Sequence, residues 1–406
     1  MSVTAATAPD ARQASRMTPE ERRASGALAS IYALRMLGLF LVLPVFALQA
    51  RHYPGGDDPA LIGLAMGIYG LTQAVLQVPL GMASDRLGRK PVILAGLAVF
   101  AIGSALAAWA PSVQWLVIGR ALQGAGAISA AVTALLADLT RDEVRTKSMA
   151  LVGISIALMF ALSLVLAPVL AARIGLSGLF VITGLLALAG MSVVAWVVPS
   201  EPPLPALPSR GSLRAVLANP DLLRADVGVF VLHAVQIALW MAVPALLVQT
   251  GLDNPSHWKV YLPAMVGSLL IMGGVLFRLE RKGYFRAVYL GAIALMLLVQ
   301  IGLLLSLQAP SLGVVAALMC LYFVGFNTQE AGQPSLVSRV AAPQQRGAAL
   351  GVYNTLMSLG IFVGGSVGGL ISKTWGAPGI FLGCAALSLL WLLVAWPMRP
   401  SALSRH

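Results

Sequence analysis

The chain has 406 residues, of which 58% are hydrophobic and only 10% charged, and its mean hydropathy is +0.86. Soluble domains carry about a quarter charged residues, so this composition excludes a soluble globular protein and reads as a polytopic membrane protein. The net charge of +12 does not mark a nucleic-acid binder either, because the basic residues are spread over short loops rather than gathered on one face, as membrane orientation requires.

Residues 1–26 are polar and carry Arg12, Arg16, Arg22 and Arg23 without the apolar core of a cleavable signal peptide, so they are expected to stay as a cytoplasmic tail. Thr18-Pro19-Glu20-Glu21 has the form of a capping box with proline at the first helical position, which predicts a short surface helix leading into the first span. A span takes about 20 apolar residues. Twelve stretches qualify: roughly 27–49, 60–84, 91–110, 113–137, 147–171, 176–198, 226–250, 259–280, 285–306, 311–337, 347–372 and 376–397.

Between the second and third stretches runs Gly81-Met82-Ala83-Ser84-Asp85-Arg86-Leu87-Gly88-Arg89-Lys90. Arg86, Arg89 and Lys90 pin this turn to the cytoplasmic side. Asp85 sits at the negative end of its helix, unfavourable by up to about 1 kcal/mol unless a cation answers it. The candidates are Arg86, Arg89, or the start of another helix on the same side. The pattern G-x-x-x-D-R-x-G-R-K resembles the signature loop of the major facilitator superfamily of secondary transporters. The alternative, a plain positive-inside anchor, leaves Gly81 and Asp85 without a role. On that turn's side of the map lie 21 of the 27 Lys and Arg, with 4 opposite (Arg51, Arg173, Lys259, Lys373) and 2 inside spans (Arg35, Arg120), which predicts both termini in the cytoplasm.

The longest polar connection, 199–225, divides six stretches from six. It implies a bundle at 27–198, a linker at 199–225, a second bundle at 226–397 and a short tail at 398–406. Gly273-Gly274-Val275-Leu276-Phe277-Arg278-Leu279-Glu280-Arg281-Lys282 repeats the first loop with Phe277 in place of Asp85, so only one latch of this kind is expected. Pro44, Pro79, Pro168, Pro244 and Pro334 lie within stretches and are expected to kink or open them. Gly360, Gly364, Gly368, Gly365 and Gly369 line the eleventh stretch and predict close helix packing. Cys320 and Cys384 fall inside apolar stretches and read as packing residues. HExxH, P-loop, GxSxG and metal-ligand patterns are absent from the sequence, so neither an enzyme nor a metal or cofactor is expected.

Charges deep in spans are functional candidates by default. Glu330, read as the only carboxylate embedded in the second half, is the expected proton site, with Asn327, Pro334 and Gln333 beside it on the helix. His233, sharing a face with Gln236 and Trp240, titrates near neutral pH and either shares that duty or is a satisfied interhelical histidine. Tyr32, Arg35, Tyr69, Gln73, Gln77, Gln123, Tyr353 and Asn354, with Gln236, Trp240 and Asn327, are candidate cavity residues, each also readable as polar glue between helices. Arg120 opens Arg120-Ala121-Leu122-Gln123-Gly124, which resembles the fourth-helix R-x-x-Q-G motif of proton-coupled drug antiporters. There the resemblance implies a role in proton transfer through a neighbouring carboxylate; an arginine snorkelling to the interface is the alternative. At the basic face Asp138, Asp142, Glu143 and Arg145 lie near Arg86 and Arg89 in the superfamily plan. Asp85 is expected to face the start of the eleventh stretch, Arg346-Gly347-Ala348, in one state and release it in the other, while Arg89 and Asp138 exchange partners.

Arg35 to Pro44, Ile68 to Ala74, Gly119 to Gly124 and Gly347 to Asn354 together look like the YajR-type branch of bacterial inner-membrane transporters. The resemblance implies an all-α membrane fold of twelve transmembrane helices in two pseudo-symmetric six-helix bundles. It also implies alternating access, a proton gradient as energy source, no cofactor, and a monomer in the lipid bilayer that handles protons and a small-molecule substrate. Export of a small solute, amphipathic ones included, is the leading expectation. Uniport or symport of a polar metabolite is a second, and a non-transporting receptor or scaffold a third. The branch includes a soluble domain after the last span, whereas this sequence stops at His406, so that domain is not expected. The antiporter pattern G-x-x-x-G-P-x-x-G-G is represented only by Ala167-Pro168 and Ala171-Ala172, which leaves direction open.

Overall fold

The structure, a computed structural model, describes residues 17–201, 213–276, 278–279, 282–342 and 345–398. Most of the expected N-terminal and C-terminal tails, the middle of the expected linker and Phe277 of the second loop copy lie outside the described residues. The described chain is helical, and no strand occurs among the described residues.

In chain order the helices are α1 (Pro19–Ala50), α2 (Pro59–Leu87), α3 (Arg89–Ala108), α4 (Val113–Ala125), α5 (Ser129–Asp138), α6 (Asp142–Trp196), α7 (Leu213–Leu217), α8 (Pro220–Gln249), α9 (Trp258–Ile271), α10 (Phe285–Ser306), α11 (Leu312–Val340) and α12 (Arg346–Ala395). Ten helical segments among the described residues are long and apolar enough to cross a membrane. Two of them are too long for one crossing. With 55 and 50 residues, α6 and α12 would measure roughly 83 and 75 Å against a hydrocarbon core of about 30 Å. Each contains one glycine with non-helical backbone, Gly175 (φ 66°) and Gly376 (φ 64°), a left-handed conformation that L side chains rarely adopt. Folding at these glycines turns each helix into two spans, consistent with twelve crossings.

Helix breaks fall at glycines rather than prolines. Pro44, Pro79, Pro168, Pro244 and Pro334 all lie inside helices that continue past them. The fourth stretch, expected as one span, is interrupted between α4 and α5 at Gly126-Ala127-Ile128. There Gly126 packs on Phe100, where a Cβ would lie 3.0 Å from the Phe100 Cβ, and also abuts the Gly96 carbonyl.

At the N-terminus the capping box forms as expected. The Glu21 amide donates to Thr18 Oγ1 at 3.2 Å and the Thr18 amide to Glu21 Oε2 at 2.8 Å. No separate surface helix precedes the span; α1 runs on from Pro19, and Glu21 is buried. Its carboxylate receives Arg141 Nε at 2.7 Å and Nη2 at 3.0 Å, which ties the first turn of α1 to the start of α6. Removing the charge leaves this guanidinium short of its partner, so Glu21→Gln is expected to lower stability by about 1–3 kcal/mol, read as a fall in the thermal denaturation midpoint. An unchanged midpoint would show the pair to be incidental.

The glycines of α12 form two rows with different partners. Gly360 and Gly364 lie on the backbone of α8, where a Cβ at Gly364 would fall 2.7 Å from Ala234 Cα. Gly365 and Gly369 lie on α2 instead. A Cβ at Gly365 would fall 2.6 Å from both the Gly63 carbonyl oxygen and the Gly67 nitrogen, and one at Gly369 would fall 2.7 Å from the Pro59 oxygen. Beside this seam the N-cap of α2, Asp58, pairs with Lys373 at 3.0 Å. The Lys373 ammonium holds the Asp58 carboxyl below the ordinary carboxylate range. Helices α2 and α12 are therefore sealed backbone to backbone at the end opposite the Asp85 loop.

Candidate functional site

Glu330, in the second half of α11, has a side chain that is 43% exposed, while its polar helix neighbours Asn327, Gln329 and Gln333 are buried. It reaches an opening. Across from it, His233 of α8 is only 8% exposed and places Nε2 3.6 Å from Glu330 Oε2. The other ring nitrogen, Nδ1, lies 3.0 Å from the Val229 carbonyl oxygen. With Nδ1 donating to that carbonyl, Nε2 is left to face the carboxylate, and gaining a proton there creates an ion pair. The two residues expected to share proton binding are thus brought together. A ring of aromatic side chains borders them: Phe326 lies 6.3 Å from the His233 ring and Phe160 6.3 Å from Phe326.

The arginines of the first half have a different setting. Arg35 and Arg120 are each 1% exposed and meet around Tyr69. Arg35 Nη2 donates to the Tyr69 hydroxyl at 2.9 Å, and Arg120 stands over the Tyr69 ring at 5.0 Å, a cation–π contact. Arg35 also reaches the broken fourth span, at Ser129 Oγ and the Gly126 carbonyl, both 3.4 Å away. Arg120 Nη1 donates to Gln123 Oε1 at 2.9 Å, and Gln123 in turn donates to Ser104 at 2.8 Å. Two expectations need correcting. Arg35 and Gln123 are buried braces rather than open cavity wall, and no carboxylate lies within ion-pair distance of Arg120 among the described residues. A proton-tuning role for Arg120 through an adjacent acid is not what this geometry offers. Snorkelling is also excluded, since the guanidinium is held inside.

The remaining candidates divide in the same way. Tyr32 donates to the Ser129 carbonyl at 2.8 Å and sits 2.9 Å from Thr133 Oγ1, bracing α5. Gln73 crosses between helices to Ser358 at 3.0 Å, while the Oε1 atoms of Gln73 and Gln77 have no partner. Asn327 turns to Ser268 at 2.8 Å on α9, and Trp240 packs edge-on against Tyr261 with ring centres 5.4 Å apart. Tyr353 and Gln236 are buried and Asn354 is half-buried on α12. Asn327 and Trp240 are therefore packing residues within their half.

At the basic loop Arg89 is the hub. Its guanidinium contacts Asp85, Ser84 Oγ (2.8 Å) and Asp138 Oδ2 (3.1 Å). The start of α3 is answered from the far end of α6: the Arg89 amide donates to Glu201 Oε2 at 2.7 Å and Lys90 Nζ to the Val198 carbonyl at 2.8 Å. Gly88 (φ 98°) allows this, since a Cβ there would sit 3.0 Å from Glu201 Oε1. Arg86 is exposed, Gly81 packs on Ala130, and Arg145 caps the Ala137 carbonyl at 3.1 Å. Asp85 pairs within its own loop; it makes no bond to Arg346, Gly347 or Ala348 among the described residues. An i, i+4 arginine is within reach without any movement of α12, which is why it wins. Arg89→Ala is expected to free Asp85 and Asp138 together and cut transport at least tenfold, about 1.4 kcal/mol. Arg89→Lys should rescue only partly, because one ammonium cannot replace a three-way fork. Full rescue by lysine would count against the hub.

Two carboxylates escaped the sequence reading. Glu201 caps α3, and Asp226, on α8, is only 4% exposed, so Glu330 is not the only acid embedded in the second half.

A profile of the Major Facilitator Superfamily matches residues 28–364 and 285–406. The chain is 42% identical over 391 residues to the inner membrane transport protein YajR of Escherichia coli (strain K12), covering 95% of this chain and 85% of that one. It is 26% identical over 394 residues to the multidrug resistance protein MdtH of Aeromonas salmonicida (strain A449), covering 92% and 95%. Among solved structures, a D-xylose-proton symporter superposes with a TM-score of 0.73 at 15% identity, covering 94% of this chain and 99% of that one, a likeness of fold.

Proposed function

This chain belongs to the major facilitator superfamily, a family of transporters and not of enzymes, and from that premise we propose that it is a proton-coupled exporter of small solutes, amphipathic ones included, working by alternating access in the bacterial inner membrane. The observation that carries this reading is the Glu330–His233 pair, 3.6 Å apart, flanked on the same helices by buried uncharged side chains such as Gln236, Asn327 and Gln333. A partly exposed carboxylate facing a histidine inside the bundle offers a proton a place to bind, which is what coupling solute movement to protons requires. The similarity to an inner membrane transport protein and to a multidrug resistance protein supports the membrane and the direction. The basic loop faces the cytoplasm in this reading, as do both termini. Two six-helix bundles, 27–198 and 226–397, rock about the central path as a monomer. Uptake of a polar metabolite was favoured by an open cavity holding both Arg35 and Glu330, and burial of Arg35 removes that support.

Proteoliposomes with a trapped pH indicator test the reading. Adding amphipathic dyes that the protein carries is expected to drive protons the opposite way in proportion to dye flux. Dye flux without proton movement would show uniport and overturn the coupling.

A further inference from the structure

We propose that Asp226 is a second proton-binding carboxylate of the transport path, placed between the Glu330–His233 pair and the nearer membrane face. The proposal rests on the reading of that pair as the proton site and extends it.

Asp226 is not a charge at the edge of a span. Helix α8 begins at Pro220 behind an Asn219 cap, so Asp226 lies nearly two turns inside it and is 4% exposed. Its Oδ2 has no hydrogen-bond partner, and no Lys, Arg or His lies within ion-pair distance among the described residues. A buried carboxylate without a cation is far costlier ionised than neutral, so the ligand such a site takes is a proton. A metal fits poorly, since no cluster of metal-ligating side chains occurs among the described residues.

Two residues on, and so turned toward the other side of α8, Gly228 is abutted by Trp391 Nε1 and the Tyr289 hydroxyl, at 2.8 and 3.2 Å from where its Cβ would be. Tyr353 of α12 lies within electrostatic range of Asp226, Tyr289 and Glu330. Asp226 precedes His233 by seven residues, which places it about 10 Å lower and within about 20° on the same helix face.

The charged groups nearby are otherwise engaged. Arg224 pairs with Asp221 at 2.7 Å and Arg286 donates to the Trp396 carbonyl at 2.7 Å. Arg339 stands over the Phe285 ring at 4.7 Å. On the elements packed against α8, Arg35 of α1 is held by Tyr69, Arg214 lies on the short α7, Arg346 starts α12, and Glu330 of α11 faces His233.

Infrared pH titration of the full-length protein in lipid nanodiscs tests this, with the proton itself as probe. The wild type is expected to show two protonated-carboxyl bands that vanish as pH rises. Asp226→Asn should remove one band and lower proton uptake by about one per chain, while Glu330→Gln removes the other. Should Asp226→Asn fail to fold, Asp226→Glu serves, because it must shift the assigned band and leave the other unmoved. Loss of no band in Asp226→Asn, or no shift in Asp226→Glu, overturns the proposal. Loss of a band in Asp226→Asn with none lost in Glu330→Gln upholds Asp226 and sinks the Glu330 reading instead.

Discussion

Replacing Glu330 by glutamine is expected to reduce pH-gradient-driven transport at least a hundredfold, about 2.7 kcal/mol, while leaving solute exchange at equal pH largely intact. Glutamine keeps the volume and the hydrogen-bonding reach of the side chain but cannot lose or gain a proton. Facing it, His233 Nε2 lies 3.6 Å from where the carboxylate was and loses its acidic partner. The pH profile of whatever transport remains should therefore lose its acid limb. His233→Gln is expected to do less, shifting the profile without abolishing driven transport, because the carboxylate still titrates. The comparison between driven and exchange transport matters because a misfolded variant loses both. A Glu330→Gln protein with wild-type driven rate and pH dependence would end the proton-site assignment.

The second large effect is expected at a residue without a side chain. In Gly365→Ala the new methyl would sit 2.6 Å from the Gly63 oxygen and the Gly67 nitrogen. Both are main-chain atoms and cannot turn aside, so α2 and α12 must separate. Overpacking of this kind costs about 1–3 kcal/mol, enough to move a two-state equilibrium roughly 5- to 150-fold toward the state open at that end. Spin labels at the exposed positions Asp57 and Thr374 report it: a single short distance in the wild type, a longer population in the variant, and transport reduced because one state dominates. An unchanged distance distribution would show that this seam does not set the equilibrium. The Asp58–Lys373 pair is secondary. Because lysine holds the Asp58 carboxyl below its ordinary range, the pair's contribution is complete above the ordinary carboxylate pKa and fades only as pH falls through the lowered value. The wild-type distance should thus be constant across neutral pH.

What the chain revealed in advance follows from which features have a length or a charge. Spans were legible because about 20 apolar residues have no other use, and the basic loop because three cations and one acid in a turn are hard to explain by anchoring, although its acid was expected to face the start of α12 and pairs with Arg89 instead. The face each polar residue presents was not. A helix that is apolar all round, such as α1, carries no stripe to orient it, so Arg35 read as cavity wall when it braces the fourth span. The interruption at Gly126-Ala127-Ile128 depends on the neighbouring backbone of α3, which local sequence does not contain. Asp226 was counted as the border of a stretch. The signal that would have corrected this was present: Asn219-Pro220-Asp221 is a helix start, and it moves the border six residues earlier.

The seam between α2 and α12 also bears on speed. Much of its surface is bare main chain, so coming together immobilises few side-chain rotamers beyond those of the Gln73–Ser358 and Asp58–Lys373 pairs. Unsealing of such a surface is expected to meet little resistance from side-chain reordering.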